Sequence, residues 1–147
     1  MGEYSGPISP ASKYAQLKLR DYAMTFPGAS EHHPWGEIAV KVKAKVFVFL
    51  SAHGKGFNMT AKLPHSRANA LDLDFAEPAG YGLGKSGWVS ANFDPGIEPP
   101  LEVLKPWIAE SFRAIAPAKL IAALDGAPAS PARGTRKRAA GRRKARK

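Results

Sequence analysis

The stretch that decides the fold is Ile38-Ala39-Val40-Lys41-Val42-Lys43-Ala44-Lys45-Val46-Phe47-Val48-Phe49-Leu50. Its first half alternates apolar and mostly polar residues with a period of two, which predicts a strand with one polar face. Its second half is a continuous apolar run, which indicates a more deeply buried strand. Ala44-Lys45 between them is interpreted as the turn of a hairpin. An antiparallel sheet therefore starts here.

Further strands follow on the C-terminal side of this hairpin. Gly54-Lys55-Gly56 predicts a second turn, and residues 57–61 a third strand with Phe57 and Met59 on the same side. A later strand is expected over Trp88 to Phe93, because Asp94-Pro95-Gly96 ends it with typical turn residues. On the N-terminal side, residues 28–36 are interpreted as a loop.

Helices are predicted around this sheet. Ser12 is expected to cap a first helix beginning near Lys13 and ending before Pro27-Gly28. Pro64 fits the first turn of a short helix. The clearest helical stripe, with spacings of three and four, consists of Leu101, Leu104, Ile108, Phe112 and Ile115. Pro106 lies inside this stripe and is tolerable if the helix begins near Glu102, where N–H groups lack partners in any case.

The short helix after Pro64 and the C-terminal end complete the helical predictions. Ala68, Leu71 and Phe75 are spaced as one helical face. Residues 118–124 can add one or two turns, closed by Gly126.

Charge is concentrated at the C-terminus. The chain has 22 Lys and Arg against 12 Asp and Glu, a net charge of +10, and nine of the basic residues fall within the last fifteen positions. Residues 1–132 therefore carry 13 basic and 12 acidic residues, a net charge of +1. We expect residues 127–147 to be a disordered basic tail. Its basic residues are Arg133, Arg136, Lys137, Arg138, Arg142, Arg143, Lys144, Arg146 and Lys147.

Composition limits the remaining possibilities. The absence of cysteine from the 147 residues excludes disulfides, a thiol nucleophile and thiolate metal sites. Neither a secretory signal nor an apolar run long enough for a membrane span is recognisable. We expect a cytoplasmic protein with no membrane partner, consisting of a flexible segment over 1–10, one domain over 11–126 and the tail.

Several short stretches, in order and at matching spacing over about residues 15–116, resemble the MmcQ/YjbR family of small bacterial proteins. They are Phe26-Pro27-Gly28-Ala29, His33-Pro34-Trp35-Gly36-Glu37, Lys45-Val46-Phe47-Val48-Phe49-Leu50, Gly84-Lys85-Ser86-Gly87-Trp88-Val89 and Ser111-Phe112. The tail lies outside the family pattern.

The resemblance implies an α+β fold like that of the type III secretion chaperones. Its elements would follow the order α-β(3)-α-β(2)-α, with an antiparallel sheet packed by helices and a fourth strand near residues 81–83. Members of this family are commonly labelled DNA-binding. The resemblance brings no catalytic motif and therefore no active-site residues.

The candidate nucleic-acid-binding residues are those of the tail and four lysines in the rest of the chain, which we call the body: Lys41, Lys43, Lys45 and Lys85. A cationic arm without aromatic residues suits phosphate contact rather than base stacking. In the body, Lys41, Lys43 and Lys45, together with Lys55, suggest a basic strip on the strands, and Lys85 follows in a glycine-rich loop. The alternative is that these lysines belong to an ordinary solvated face.

Two tryptophans are candidates for a ligand groove. Trp35 and Trp88 lie in two family-matching stretches, and exposed tryptophans beside lysines suit a nucleic-acid or peptide groove. The alternative is that they are buried and hold loops against the sheet.

Patterns for catalysis, nucleotides and metals are weak. Gly84-Lys85-Ser86 resembles the end of a P-loop, but Ala79 stands where that motif needs glycine, and a strand follows instead of a helix. His32 and His33 are adjacent in an extended segment and point apart, which makes a poor chelate. We expect no enzyme, no cofactor and no metal site.

The leading hypothesis is a non-catalytic DNA-binding protein, nucleoid-associated in a bacterial cytoplasm, in which the tail supplies most of the affinity. DNA is favoured over RNA. The alternative is a chaperone-like module that binds a partner peptide, with a tail that is incidental or binds RNA or another polyanion.

Overall fold

A computed structural model describes residues 7–33, 37–80 and 83–126. These residues fall into two compact units, one ending at Ile115 and one beginning at Ala116. The elements of the first unit are α1 (Pro10–Met24), β1 (Ala29–His32), β2 (Ile38–Val42), β3 (Lys45–His53), β4 (Gly56–Lys62), α2 (Arg67–Leu71), β5 (Ala76–Pro78), β6 (Trp88–Phe93) and α3 (Leu101–Ile115). The second unit contains α4 (Ala118–Leu124).

The strands form one antiparallel sheet in the order β1-β2-β3-β4-β6-β5. One register row across it joins Val40, Val48, Ala61 and Val89, which are all fully buried. Helices α1 and α3 pack on this side of the sheet, against β3 and β4. Because side chains alternate along a strand, the residues between the buried ones lie on the opposite side, which we call the outer face.

The region predicted as a loop between residues 28 and 36 contains a strand. Ala29 pairs with Val42 and His32 with Ala39, so β1 adds a fourth strand to the predicted three-stranded meander. The pattern of β1 escaped prediction because its residues, Ala-Ser-Glu-His, have weak strand propensity.

The first hairpin turns one residue earlier than predicted. Lys43 and Ala44 are the turn residues, with φ angles of 51° and 67°, and Lys45 already pairs with Val42. Two consecutive positive φ angles define a two-residue turn that matches the twist of the strands. The position of this turn could not be predicted from the sequence, because neither residue is a glycine or an asparagine.

The register between β2 and β3 shifts between Val40 and Lys41. The shift lies beside Phe47, which is fully buried and packs in an aromatic cluster with Phe26 and Phe112. The ring centroids of Phe26 and Phe112 are 4.8 Å apart, and those of Phe47 and Phe112 are 5.2 Å apart. This cluster joins α3 and the end of α1 to the sheet.

The first and third helices begin earlier than predicted. Ser9 is the N-cap of α1, and its side chain accepts a hydrogen bond from the Ser12 N–H. Ser12 itself is buried within the first turn. Helix α3 begins at Leu101, so Pro106 lies inside it and the carbonyl of Glu102 lacks its usual donor. Glu102 and Pro106 are both exposed, which allows water to replace that donor.

Two further predictions need correction. Helix α2 ends at Leu71, so Phe75 is not on its face and instead packs against Phe93 and Trp107. The strand expected at residues 81–83 is displaced to β5, and Leu83 lies in a 3-10 turn over Leu83–Ser86. The other two residues of that expected strand lie outside the described ones.

Candidate nucleic-acid interface

Three of the predicted lysines lie at one end of the sheet. Lys41 is half-buried on the outer side of β2, and Lys43 and Lys45 are exposed in and beside the β2–β3 turn. The predicted basic strip does not run along the strands alone, because Lys43 is a turn residue. The turn nevertheless brings all three to the same end of the sheet.

Two further lysines reach this end from the neighbouring strands. Lys62 is the last residue of β4 and pairs with Trp88, the first residue of β6. Lys85 is exposed in the 3-10 turn that leads into β6. Since β3 begins and β4 ends at the same end of an antiparallel pair, these lysines and those of the β2–β3 turn lie along one edge. We call Lys41, Lys43, Lys45, Lys62 and Lys85 the basic end.

Lys62 could not be predicted from the sequence, because it is a single charge at the end of β4 with no charge pattern around it. It is detectable only through its register with Trp88.

Lys55 does not belong to this group. It lies in the β3–β4 turn, at the opposite end of the nine-residue strand β3. At about 3.3 Å per residue, that strand separates the two turns by roughly 30 Å. Burial and the positive charge of Lys55 lower the pKa of the neighbouring His53 imidazole, which disfavours a second positive charge there. The positive charge of the sheet is therefore concentrated at the basic end.

The lysines of the basic end have no acidic partner among the described residues. Within residues 7–33, 37–80 and 83–126, none of these five lysines takes part in an ion pair. Unpaired lysines on neighbouring strands create a positive potential that attracts phosphate groups.

A chain of side-chain hydrogen bonds crosses the outer face of β4, β6 and β5. Thr60 and Ser90 hydroxyls are 2.8 Å apart, and the Thr60 hydroxyl also donates to Asn58 Oδ1 at 3.3 Å. Asn58 Nδ2 donates to Asn92 Oδ1 at 2.7 Å, and Asn92 Nδ2 donates to Glu77 Oε2 at 3.0 Å. We call these five residues the polar cluster.

An aromatic pair lies beside the polar cluster. Phe49, half-buried on β3, and Trp88 have ring centroids 6.1 Å apart. Trp88 is only 8% exposed, so the structure favours the buried alternative for this tryptophan. The accessible ring of the pair is that of Phe49. Trp35, the other residue of the predicted groove, lies outside the described residues, as do the nine basic residues of the tail.

The adjacent histidines have separate partners. His33 Nε2 lies 2.9 Å from Glu31 Oε2, whereas His32 Nε2 lies 3.1 Å from Ser30 Oγ. No group of three His, Cys, Asp or Glu side chains suited to a metal occurs among the described residues. None of the helices in that part of the chain is long and apolar enough to cross a membrane.

A separate groove of about 880 Å³ lies where the start of α1 meets the loop before α3. Tyr14 lines it and is 56% exposed, and the nearby Ile97 is 53% exposed. The loop is tied to α1 by a 3.2 Å hydrogen bond from the Gly96 N–H to Ser9 Oγ. The groove is lined by Pro10, Ala11, Tyr14, Ala15, Gly96, Glu98, Pro99, Leu101 and Glu102.

An α+β domain with a six-stranded antiparallel sheet and the helices α1 and α3 packed against it defines the structural class of this chain. The family model described as YjbR matches residues 24–114, and the chain belongs to the YjbR family. Both the predicted family and the predicted α+β class are therefore confirmed.

Similarity to solved structures supports the same fold. A crystal structure of a protein from Pseudomonas syringae, a structural genomics target, has a TM-score of 0.51 and 17% sequence identity to this chain. The match covers 67% of this chain and 97% of that one. No curated protein matches the chain.

Proposed function

We propose that this protein is a non-catalytic DNA-binding protein of the bacterial cytoplasm, associated with the nucleoid. The basic tail supplies most of the affinity by contacting phosphates without regard to sequence, and the basic end of the sheet supplies a second phosphate contact. The observation that carries the proposal is the charge distribution, with nine basic residues in the last fifteen and a net charge of +1 in the rest.

The arrangement of the sheet lysines supports a contribution from the body. Although the body is nearly neutral as a whole, five lysines lie at one end of its sheet, and none of them has an acidic partner among the described residues. A protein that neutralises several phosphates releases their counterions, which favours binding at low salt. The body is expected to add few contacts because the tail carries nearly twice as many charges.

The test is binding of a fluorescent DNA duplex of about 30 base pairs at about 50 mM salt, where phosphate contacts are strong. Replacing the nine basic residues of the tail by Gln is expected to weaken binding at least about 100-fold. Replacing Lys41, Lys43, Lys45 and Lys85 by Gln is expected to weaken it about 10-fold.

A matched control makes the same charge change elsewhere in the first unit, at Lys13, Lys18, Lys55 and Lys105. This control is expected to alter the affinity less than about threefold, since non-specific attraction depends on where the charge lies. If the basic-end variant and the control lose the same affinity, the loss follows from net charge alone, and the basic end makes no phosphate contact of its own. Unchanged affinity in the tail variant would contradict the proposal.

A second candidate function is binding of a partner peptide, and the groove beside α1 favours it. Exposed Tyr14 and Ile97 offer apolar surface, and Glu98 and Glu102 add negative charge. Such a groove suits a peptide with apolar and basic residues. Peptides from a displayed library that bind the native chain but not a Tyr14→Ala variant would support this function. Peptides that bind both equally would contradict it.

A further inference from the structure

We propose that the outer face of the sheet binds the bases of single-stranded DNA, with phosphates held at the basic end. This inference rests on the proposed DNA-binding function and names the form of DNA that the folded body recognises. It is carried by three neighbouring features of the outer face: the polar cluster, the ring of Phe49 and the lysines.

The polar cluster presents amide groups in fixed orientations. Thr60 and Ser90 are each only 8% exposed, and their hydroxyls bond to each other. The Thr60 hydroxyl also donates to Asn58 Oδ1 and so orients that side chain. Asn58 in turn orients the exposed Asn92, which donates to the exposed Glu77. Each asparagine retains a second N–H, and Glu77 retains a second oxygen. These groups are the donors and acceptors that base edges require.

Phe49 supplies an apolar surface beside these polar groups. It lies in the same register row as Thr60 and Ser90, and its ring is supported by the buried ring of Trp88 at 6.1 Å. A base has a flat π surface whatever its identity, so an accessible aromatic ring binds bases with little sequence preference.

The lysines lie within reach of the same bound strand. Along β4, Asn58, Thr60 and Lys62 alternate onto the outer face, with about 6.6 Å between successive side chains. Asn58 and Lys62 are thus separated by roughly 13 Å. A strand lying along this direction places bases on the polar cluster and phosphates at the basic end.

The width of the sheet keeps this face out of the major groove of a duplex. Six strands at about 4.8 Å spacing make the sheet roughly 24 Å wide. The major groove is about 12 Å wide and admits a helix or a two-stranded ribbon, but not a sheet of this width. A sheet of this width would contact the base edges of a duplex only through a widened and bent minor groove, whereas unpaired bases reach its asparagine and phenylalanine side chains without that distortion.

The test uses the full-length chain with the nine basic residues of the tail replaced by Gln, so that binding by the tail does not mask binding by the body. A fluorescent single strand of DNA about 20 nucleotides long is compared with a duplex of the same length and with the RNA strand of the same sequence. Asn58→Ala combined with Asn92→Ala, and separately Phe49→Leu, remove the two base contacts. Asn69→Ala, an exposed asparagine on α2, is the matched control.

We expect the chain that carries only the tail substitutions to bind the single strand at least 10-fold more tightly than the duplex. The asparagine pair and Phe49→Leu should each weaken single-strand binding by about 5-fold to 100-fold, the range of a lost base contact. Neither should change duplex binding, and Asn69→Ala should change nothing. Should Phe49→Leu fail to fold, as judged by thermal unfolding, the asparagine variant decides alone.

Equal binding of single strand and duplex, or unchanged binding in the variants, would overturn this inference and leave the proposed function standing. Tighter binding of the RNA strand would overturn the assignment to DNA. Absence of binding to any DNA by the unmodified full chain would overturn both the inference and the proposed function.

Discussion

The Ser111 hydroxyl donates a 2.6 Å hydrogen bond to the carbonyl oxygen of Phe47. It also accepts a 2.9 Å hydrogen bond from the backbone N–H of Lys62. Phe47 precedes Val48 in β3, and Lys62 follows Ala61 in β4. Both residues therefore lie just beyond the last pair of these two strands, Val48 with Ala61. A side chain from α3 therefore replaces the missing rung of the ladder and anchors the strand end that carries Lys62.

Ser111→Ala is expected to lower the free energy of unfolding by about 2–4 kcal/mol, because it leaves two backbone groups without a partner in a buried site. The measurement is urea unfolding followed by circular dichroism. Ser86→Ala, at an exposed serine, is the control and should change stability by less than about 0.5 kcal/mol. Equal stability of the two variants would show that the bridge does not stabilise the sheet.

Gly56→Ala is expected to destabilise the protein by more than about 3 kcal/mol or to prevent folding. A Cβ atom at Gly56 would lie 1.9 Å from the carbonyl oxygen of Phe93, and its φ of 123° disfavours any other residue. Gly80→Ala is the control, since a Cβ there meets nothing within 4 Å. Thermal unfolding of both variants tests this, and a folded Gly56→Ala with native stability would contradict it.

Ala44→Gly is expected to stabilise the protein by about 0.5–1 kcal/mol. Ala44 is exposed with a φ of 67°, a conformation that costs alanine about 1 kcal/mol or more and glycine almost nothing. Ala114→Gly removes the same methyl group from an exposed position in α3 and should instead destabilise by about 1 kcal/mol. The two variants must shift the denaturation midpoint in opposite directions, and shifts of the same sign would refute the strained turn.

Glu110→Gln is expected to reduce stability at neutral pH and to lose this effect in acid. Burial alone would raise the pKa of Glu110, but hydrogen bonds from the Ser66 side chain and from the backbone N–H groups of His65 and Ser66 lower it. A lowered folded pKa means that ionisation stabilises the fold above the unfolded pKa of about 4.5. This stability disappears as the pH falls through the folded value.

The measurement for Glu110 is the difference in unfolding free energy between native chain and variant from pH 7 to pH 2. It should be largest near pH 7 and shrink below about pH 4.5. Glu98→Gln, at an exposed glutamate, should change the free energy of unfolding at pH 7 by less than about 0.5 kcal/mol. A difference for Glu110→Gln that grows in acid would contradict the account.

The sequence predicts the helices and strands that have a regular pattern of apolar residues. It does not predict those that form only because a neighbouring strand pairs with them. The stripe through Leu104, Ile108 and Phe112 identifies α3, since these side chains all face the core. By contrast, β1 is a strand because β2 offers it an unpaired edge, and its own residues carry no strand pattern. The β2–β3 turn was displaced by one residue because Lys43 and Ala44 adopt a backbone conformation that their identities do not favour.

The candidate site was predictable only in part. The sequence shows the charges of Lys41, Lys43, Lys45 and Lys85. That Lys62 lies at the same end of the sheet depends on the pairing of β4 with β6. The polar cluster was missed entirely. Asn58 and Asn92 are 34 positions apart, and only the register brings them within hydrogen-bonding distance.

The most direct test of the central claim is the salt dependence of DNA binding by the full chain and by the chain ending at Gly126. We predict a steep negative slope of log affinity against log salt for the full chain, approaching about −8 if all nine tail charges contact phosphates. Removing residues 127–147 should abolish most of that slope. A slope that survives the truncation, or dissociation constants weaker than about 10⁻⁴ M for both chains at low salt, would contradict DNA binding by the tail.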